Sequence, residues 1–274
     1  DYFNSKADEY DDVDQQAYWV LSDNFFKAIL KKEIGPLLKD KKDIRLLDAG
    51  AGTGRWTFFF YELFKDTHKI SGDLVDISDK MLEQAAEKIK KLDLSDRFHC
   101  AVGNIEDLET SPNEAYDLAL SFYNVLSFVE NPLQALTEIK SKLVSGGVHV
   151  SIVANKYHAY YFSILTNQLK NLDLIKNESK IRFNDAMPAI HCFTPEELKA
   201  LYLKSGFKEV HIMGGPNFIY PGMEETLVHG HTGDLQSKLK SEEQFAAILA
   251  TELDCYVKQD IVGRGNVLMA VAIK

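Results

Sequence analysis

The stretch Ile44-Arg45-Leu46-Leu47-Asp48-Ala49-Gly50-Ala51-Gly52-Thr53-Gly54-Arg55 decides the fold. Ile44 to Leu47 is a short apolar run that ends in an acid and a set of alternating glycines. This is the pattern of a buried strand feeding a tight turn. Trp56 to Phe64 reads as the helix that follows. Glycines after a strand let the backbone come close to a ligand where a Cβ would clash. The next helix points its free N–H groups at that ligand. The turn therefore predicts a nucleotide-like cofactor.

Reading outward, Ile70 to Ile77 is a second strand. Ser78 is its following N-cap, with Met81, Leu82, Ala85 and Ile89 forming a helical stripe. Strands are predicted at Phe98 to Val102, Tyr116 to Phe122 and Val148 to Val153. A helix over Leu133 to Leu143 is stopped by Gly146-Gly147. Toward the N-terminus, Phe25, Phe26, Ile29 and Leu30 give helical spacing over Asn24 to Leu38. Strands alternating with helices mean parallel βαβ units, hence an α/β, Rossmann-like doubly wound sheet.

Past Asn155 the alternation fails. Lys156 to Cys192 is rich in aromatics and shows no clear strand. Thr194-Pro195-Glu196-Glu197 opens a helix with a capping box, and Gly206 ends it. Lys208 to Met213 and Val267 to Ile273 read as strands. Between them Pro216 to Gly263 is a second insertion, with a helix near Glu243 to Val257. Two late strands predict an antiparallel edge pair on a seven-stranded, mostly parallel sheet. The expected organisation is an N-terminal helical lid (1–40), a core (41–155, 194–215 and 264–274) and two insertions forming a substrate cap (156–193 and 216–263).

The 274 residues are 45% hydrophobic and 26% charged, an ordinary globular composition that excludes a disordered tail, a collagen-like fibre and a coiled coil. The net charge is −10, which repels phosphate backbones, so no nucleic-acid partner is expected. Cys100, Cys192 and Cys255 are sparse and form no CxxC pair, which excludes zinc ribbons and suits a reducing compartment. No apolar run reaches the length of a membrane span, and the acidic opening residues are unlike a signal peptide, so a cytoplasmic location is expected, with no membrane partner.

Two cofactor classes compete for the glycine turn. A dinucleotide fingerprint needs a third glycine where this chain has Arg55. Asp48 at the strand end would repel a pyrophosphate but could accept from an ammonium. That favours S-adenosylmethionine, which carries an ammonium and a sulfonium and no phosphate. At the end of the second strand a carboxylate can accept both ribose hydroxyls. Asp76 is placed for this at the strand's carboxyl end, and Asp73 is the rival.

Taken in order, these motifs resemble class I S-adenosylmethionine-dependent methyltransferases. Leu46 to Gly54 resembles their first motif, and Asp76-Ile77-Ser78 with Met81-Leu82 their second. Gly103-Asn104-Ile105-Glu106-Asp107-Leu108 is similar to their adenine turn, with Asn104 where Asp is usual. Tyr116 to Ser121 with Asn124-Val125-Leu126 resembles their fourth strand and loop. The wording of Leu143 to Gly147 and Phe193 to Phe207, and the start Tyr2-Phe3-Asn4 with Glu9-Tyr10-Asp11, is closest to the ubiquinone/menaquinone branch. The resemblance implies that Asp48, Ala49, Gly50, Ala51 and Gly52 hold the methionine moiety. It implies that Asp76, Ile77 and Met81 take the ribose and an adenine face, and that Asn104 and Ile105 read the adenine edge. Ser121, Phe122 and Tyr123 would line the passage to the acceptor. The implied activity is methyl transfer to a small-molecule acceptor, with S-adenosylhomocysteine as the cofactor product.

Methyl transfer from a sulfonium needs alignment, exclusion of water and, in some cases, a base. His191, just before the Thr194-capped helix, is the candidate base. Tyr10, Tyr123, Tyr161 and His191 are the candidate acceptor contacts; Trp19 and Arg55 could close over the cofactor or acceptor. His229 and His231 have metal-pair spacing but no evident carboxylate partner, and no metal is expected.

Overall fold

The computed structural model describes residues 2–184, 187–220 and 239–274. Nine strands are assigned there: β1 (Asp43–Ala49), β2 (Lys69–Asp76), β3 (Phe98–Val102), β4 (Tyr116–Ser121), β5 (Leu143–Ala154), β6 (Lys180–Ile181), β7 (Ile190–His191), β8 (Glu209–Gly215) and β9 (Val267–Ile273). Seven of them form one sheet in the order β3-β2-β1-β4-β5-β9-β8. β1 to β5 pair in parallel, and β9 runs antiparallel to both β5 and β8. The β8–β9 register extends to Gly215 opposite Val267, so the chain leaves and rejoins the sheet at one place. The predicted fold class and edge pair are therefore observed.

Both faces of the sheet are covered, which is why its central strands read as continuous apolar runs. Leu46, Leu118 and Leu120 face a layer built from α1 (Ala17–Ile29), α3 (Arg55–Phe64) and α4 (Asp79–Lys91). Leu47 and Ala119 face the opposite layer, built from α6 (Pro132–Lys142) and α9 (Pro195–Lys204). The strand order reverses between β1 and β4, the position where doubly wound sheets open a crevice at their carboxyl ends.

Three segments differ from the sequence reading. The N-terminal helix starts earlier than Asn24: a 3₁₀ helix over Asn4–Gln15 leads into α1, which runs through a π turn at Leu30–Ile34 into α2 (Gly35–Leu38). Tyr18 and Leu21 extend the buried stripe of Phe25 back by two turns. The insertion after Asn155 is helical, with α7 (Lys156–Leu165) capped by the Asn155 side chain, then α8 (Lys170–Glu178) and the β6–β7 ribbon. It has its own core of Ala159, Ile175, Ile181, Ile190 and Cys192. The second insertion carries α10 (Glu242–Leu253) and α11 (Gln259–Val262), with the first ending before the expected Val257. A short α5 (Val125–Phe128) follows β4. Among the described residues no helix is long and apolar enough to cross a membrane.

One polar cluster sits inside the α6–α9 layer. His149 Nε2 lies 3.1 Å from Ser121 Oγ and its Nδ1 3.0 Å from the Tyr202 hydroxyl, which is 2.6 Å from Ser151 Oγ. All four residues are buried, and burial pushes the His149 imidazole down to about 3. The folded protein therefore holds this ring neutral where an unfolded chain would protonate it near pH 6.5. Below that pH the unfolded state binds a proton that the folded state refuses. Stability should fall by about 1.4 kcal/mol per pH unit from 6.5 toward 3 on this account. Urea unfolding of wild type and His149→Asn at pH 7, 6 and 5 tests it: the wild-type advantage should shrink as pH falls, and a constant difference would refute the assignment.

Candidate active site

The turn after β1 is tied to β2 by backbone hydrogen bonds: Gly50 N and Ala51 N donate to Val75 O at 2.7 and 3.0 Å. Asp76, at the end of β2, clips the same turn. Its Oδ2 accepts from Gly52 N and its Oδ1 from Ser78 N, both at 2.8 Å. Each carboxylate oxygen keeps a second acceptor site. Asp73 is spent elsewhere, on Arg45 at 3.1 Å and the Tyr116 hydroxyl at 2.6 Å.

The glycines have different reasons. A Cβ on Gly50 would stand 2.3 Å from Val125 Cγ1, so Gly50 is small because α5 packs on it. Gly52, at φ +53°, would project its Cβ into space with no atom within 4 Å, and it lines a cavity. Its missing side chain leaves room there.

That cavity has a volume of about 360 Å³, within the range of small-ligand sites. Along the ends of β1, β2 and β3 it is lined by Asp48, Gly50, Ala51, Gly52, Asp76, Ile77, Met81, Asn104 and Ile105. Toward β4 and the N-terminal segment the lining turns aromatic, with Phe3, Tyr10, Trp56, Phe122, Tyr123 and Phe128. Asp48 is 2% exposed, and its Oδ2 accepts from Thr57 Oγ1 at 2.5 Å. Burial, reinforced by the nearby charge of Asp76, pushes its carboxyl up to about 7. Asp76 is also raised by burial. Two carboxylates held above their usual range at adjoining strand ends favour a cationic ligand. With the space beside Gly52, and with Arg55 already paired to Asp23, the lining fits S-adenosylmethionine.

The 3₁₀ helix covers this cavity. Asn4 Nδ2 donates to Asp79 Oδ1 at 3.0 Å and Ser78 Oγ to Asn4 Oδ1 at 2.5 Å. Asp11 accepts from Thr53 Oγ1 at 2.9 Å and from Lys88 Nζ at 2.5 Å. The segment thereby brings Tyr10 and Phe3 to the lining, and burial pushes the Tyr10 hydroxyl up to about 12.

On the aromatic side, Arg55 donates to Asp23 Oδ2 at 2.5 Å, with the two side chains 8% and 3% exposed. The Tyr123 hydroxyl donates to Asp23 Oδ1 at 2.8 Å. Tyr123 and Asn124 both adopt left-handed backbone, φ 51° and 71°, which is how the chain turns from β4 into α5 while presenting the tyrosine. Burial raises the Asp23 carboxyl, and the Arg55 guanidinium opposes that rise.

Five of the expected site residues lie off the lining. Ala49 packs in the α6–α9 layer, and Ser121 turns to His149. Tyr161 packs against His158 and Tyr220, at centroid distances of 5.7 and 5.4 Å. His191 Nε2 is 3.3 Å from Glu130 O, and burial with the Lys180 charge lowers its affinity for a proton. Trp19 packs edge-on against Tyr123 at 5.9 Å behind the lining. His229 and His231 lie outside the described residues, and among those described no cluster of ligands could hold a metal.

The sequence reading missed Trp56, Glu106, Phe128, Val129, Glu130 and Pro188 on the lining, and Asp23 bonded to Tyr123. Asp23 could have been found as an acid on the buried stripe of α1, between Leu21 and Phe25. Glu106 Oε1 accepts from Asn131 N at 2.7 Å, tying the turn after β3 to the loop after α5. No local pattern announces that contact.

Comparison with known proteins agrees with this geometry. Residues 40–206 match the family profile of the methyltransferase domain. A curated relative, the biotin biosynthesis bifunctional protein BioHC of Teredinibacter turnerae, is 31% identical over 104 residues, 37% of this chain and 18% of that protein. The chain thus spans less than a fifth of the length of the curated relative it matches. Among solved structures, a SAM-dependent methyltransferase of Thermotoga maritima, described as a possible histamine N-methyltransferase, superimposes with a TM-score of 0.55 at 19% identity, covering 100% of this chain and 98% of that one. Geranyl diphosphate C-methyltransferase of Streptomyces coelicolor, solved with S-adenosyl-L-homocysteine, gives a TM-score of 0.52 at 15% identity, covering 85% and 73%. At those identities the likeness is one of fold. With more than half its length matched by the family profile, the chain belongs to the methyltransferase-domain family.

Proposed function

We propose that the protein methylates a small-molecule acceptor held in the aromatic half of the cavity. The observation that carries this reading is one covered cavity, about 360 Å³, that runs from the glycine turn to an aromatic wall. Bound cofactor supplies an activated methyl group on its sulfonium. The protein's part is to bind, align and exclude water. Asp48 and the Gly50–Gly52 turn would hold the methionine moiety, Asp76, Ile77 and Met81 the ribose and an adenine face, and Asn104 and Ile105 the adenine edge. Asn104 Oδ1 accepts from Glu106 N at 3.0 Å, which leaves its amide N–H groups to offer. The N-terminal segment and the first insertion, through Pro188, would form the acceptor's cover, over a core of the sheet elements.

The overall charge of −10 supports a reading without a nucleic-acid partner, and the three unpaired cysteines support a reducing compartment such as the cytoplasm. The motif wording supports the ubiquinone/menaquinone branch within the family. The Streptomyces neighbour is crystallised with a small prenyl diphosphate, which agrees with a small acceptor. A regulator that holds the cofactor without turnover is the second reading, since no residue off the cofactor end is yet assigned a chemical step. A nicotinamide oxidoreductase is opposed by Arg55 and Asp48. A methyl-release screen of labelled S-adenosylmethionine against a metabolite library, with products located by mass, decides between catalyst and regulator. Tight binding of the cofactor with no methylated product from the library would overturn the catalytic reading.

A further inference from the structure

Trp56 and Tyr123, both on the aromatic half of the lining, carry polar atoms of opposite character. The proton of Tyr123 is committed to Asp23 Oδ1 at 2.8 Å. The Ser22 hydroxyl, 3.4 Å from the Tyr123 oxygen, can only donate to it. Tyr123 can therefore offer a ligand only an acceptor lone pair. Trp56 lines the same cavity, its ring centroid 5.7 Å from that of Tyr123. Its indole N–H is buried with no hydrogen-bond partner among the described residues. A buried orphan donor is costly, and a ligand acceptor would relieve it. Trp56 only donates, and Tyr123 only accepts.

The group that complements this pair must both donate and accept. A carboxylate only accepts and an ammonium only donates; of the groups that do both, a hydroxyl stays uncharged at neutral pH where an alkyl amine does not, and it keeps the free lone pairs that an amide nitrogen lacks. The surrounding Phe3, Phe122 and Phe128 are apolar and planar. We infer that the acceptor is a hydroxylated, flat, apolar molecule whose hydroxyl lies between Trp56 Nε1 and Tyr123 Oη, and that this oxygen is the atom methylated. This rests on the methyl-transfer reading above. The acceptor oxygen forms its bond to the methyl carbon with a lone pair, and the sulfur keeps the electrons of the broken S–C bond. The hydroxyl proton passes to Tyr123 Oη as the Tyr123 proton passes to Asp23, so the proton ends on a carboxylate. Arg55 keeps Asp23 ionised beforehand, and burial makes it a stronger base than a carboxylate in water. Tyr123 is thus a catalytic residue and Asp23 acts through it.

The test uses the whole chain saturated with S-adenosylhomocysteine and three probes: 2-naphthol, 2-methoxynaphthalene and 2-naphthoate. Calorimetry should show 2-naphthol bound about tenfold more tightly than the other two, the scale of one buried group left unpaired. In Tyr123→Phe and in Trp56→Phe that preference should fall to within about twofold. With S-adenosylmethionine, Asp23→Asn should bind 2-naphthol as wild type does but methylate it about 10²–10⁴-fold more slowly, the range for loss of a general base. Tightest binding of the naphthoate or the ether, an unchanged preference in Tyr123→Phe, or no binding of any probe would each overturn the inference. Failure of S-adenosylhomocysteine itself to bind would instead overturn the cofactor assignment beneath it.

Discussion

Gly52→Val should weaken S-adenosylhomocysteine binding more than 100-fold while the protein stays folded. Two effects act at this position. At φ +53° a branched residue is strained by roughly 1–2 kcal/mol. Its side chain then enters space that the fold leaves empty beside Asp76 and the turn. Only the second effect concerns the ligand. Gly146 separates them, because it too has positive φ, +74°, and open space around its absent Cβ, yet it lies in the turn before the buried part of β5, away from the cavity. Gly146→Val should lower the melting temperature by a similar amount and leave affinity untouched. Calorimetry and thermal melts on both variants decide the matter. Equal affinities in the two would show that the space beside Gly52 is not the cofactor's.

Arg55→Ala should destabilise the fold by about 3–5 kcal/mol, because it strands the buried Asp23 carboxylate without its cation. Asp23→Ala should cost a similar amount from the other side. The double variant should cost far less than the sum, since neither charge is then left unpaired. Urea unfolding of the four proteins closes the cycle. Additive losses would mean that Arg55 and Asp23 act separately, against the 2.5 Å contact. A chain that unfolds outright in Arg55→Ala would still leave the Asp23→Ala and double variants to compare.

The sheet was legible because its signals are local. Strand periodicity, the Ser78 cap and the Thr194 capping box each lie within a few residues, and each is present. The glycine-turn end of the cavity was legible for the same reason: Asp48, Gly50, Ala51 and Gly52, and Asp76, Ile77 and Met81, each lie on one short segment at one strand end. The aromatic end was legible only in part. Tyr10 and Tyr123 could be named, but Phe3, Trp56, Phe128 and Pro188 join them through tertiary packing and a left-handed step at Tyr123–Asn124 that no glycine advertises, with Asp23 bonded to Tyr123 from outside the lining. His191 looked promising by its place in the chain, but the β6–β7 ribbon sets it against Glu130 O, and the aromatic insertion hid two helices because its apolar residues serve a separate small core.

The paired register of Gly215 and Val267 governs how this fold can diversify. Because both ends of the intervening stretch are pinned side by side on an edge hairpin, the sheet does not sense how long that stretch is. Doubling its length would cost only about 0.6 kcal/mol in loop-closure entropy. Sequence added to this stretch outside its buried anchors, Ile219, Tyr256 and Val262, can therefore grow while the strand ends around the cavity stay fixed. Those anchors hold the stretch to both layers, so variation here is free in length but not at those positions.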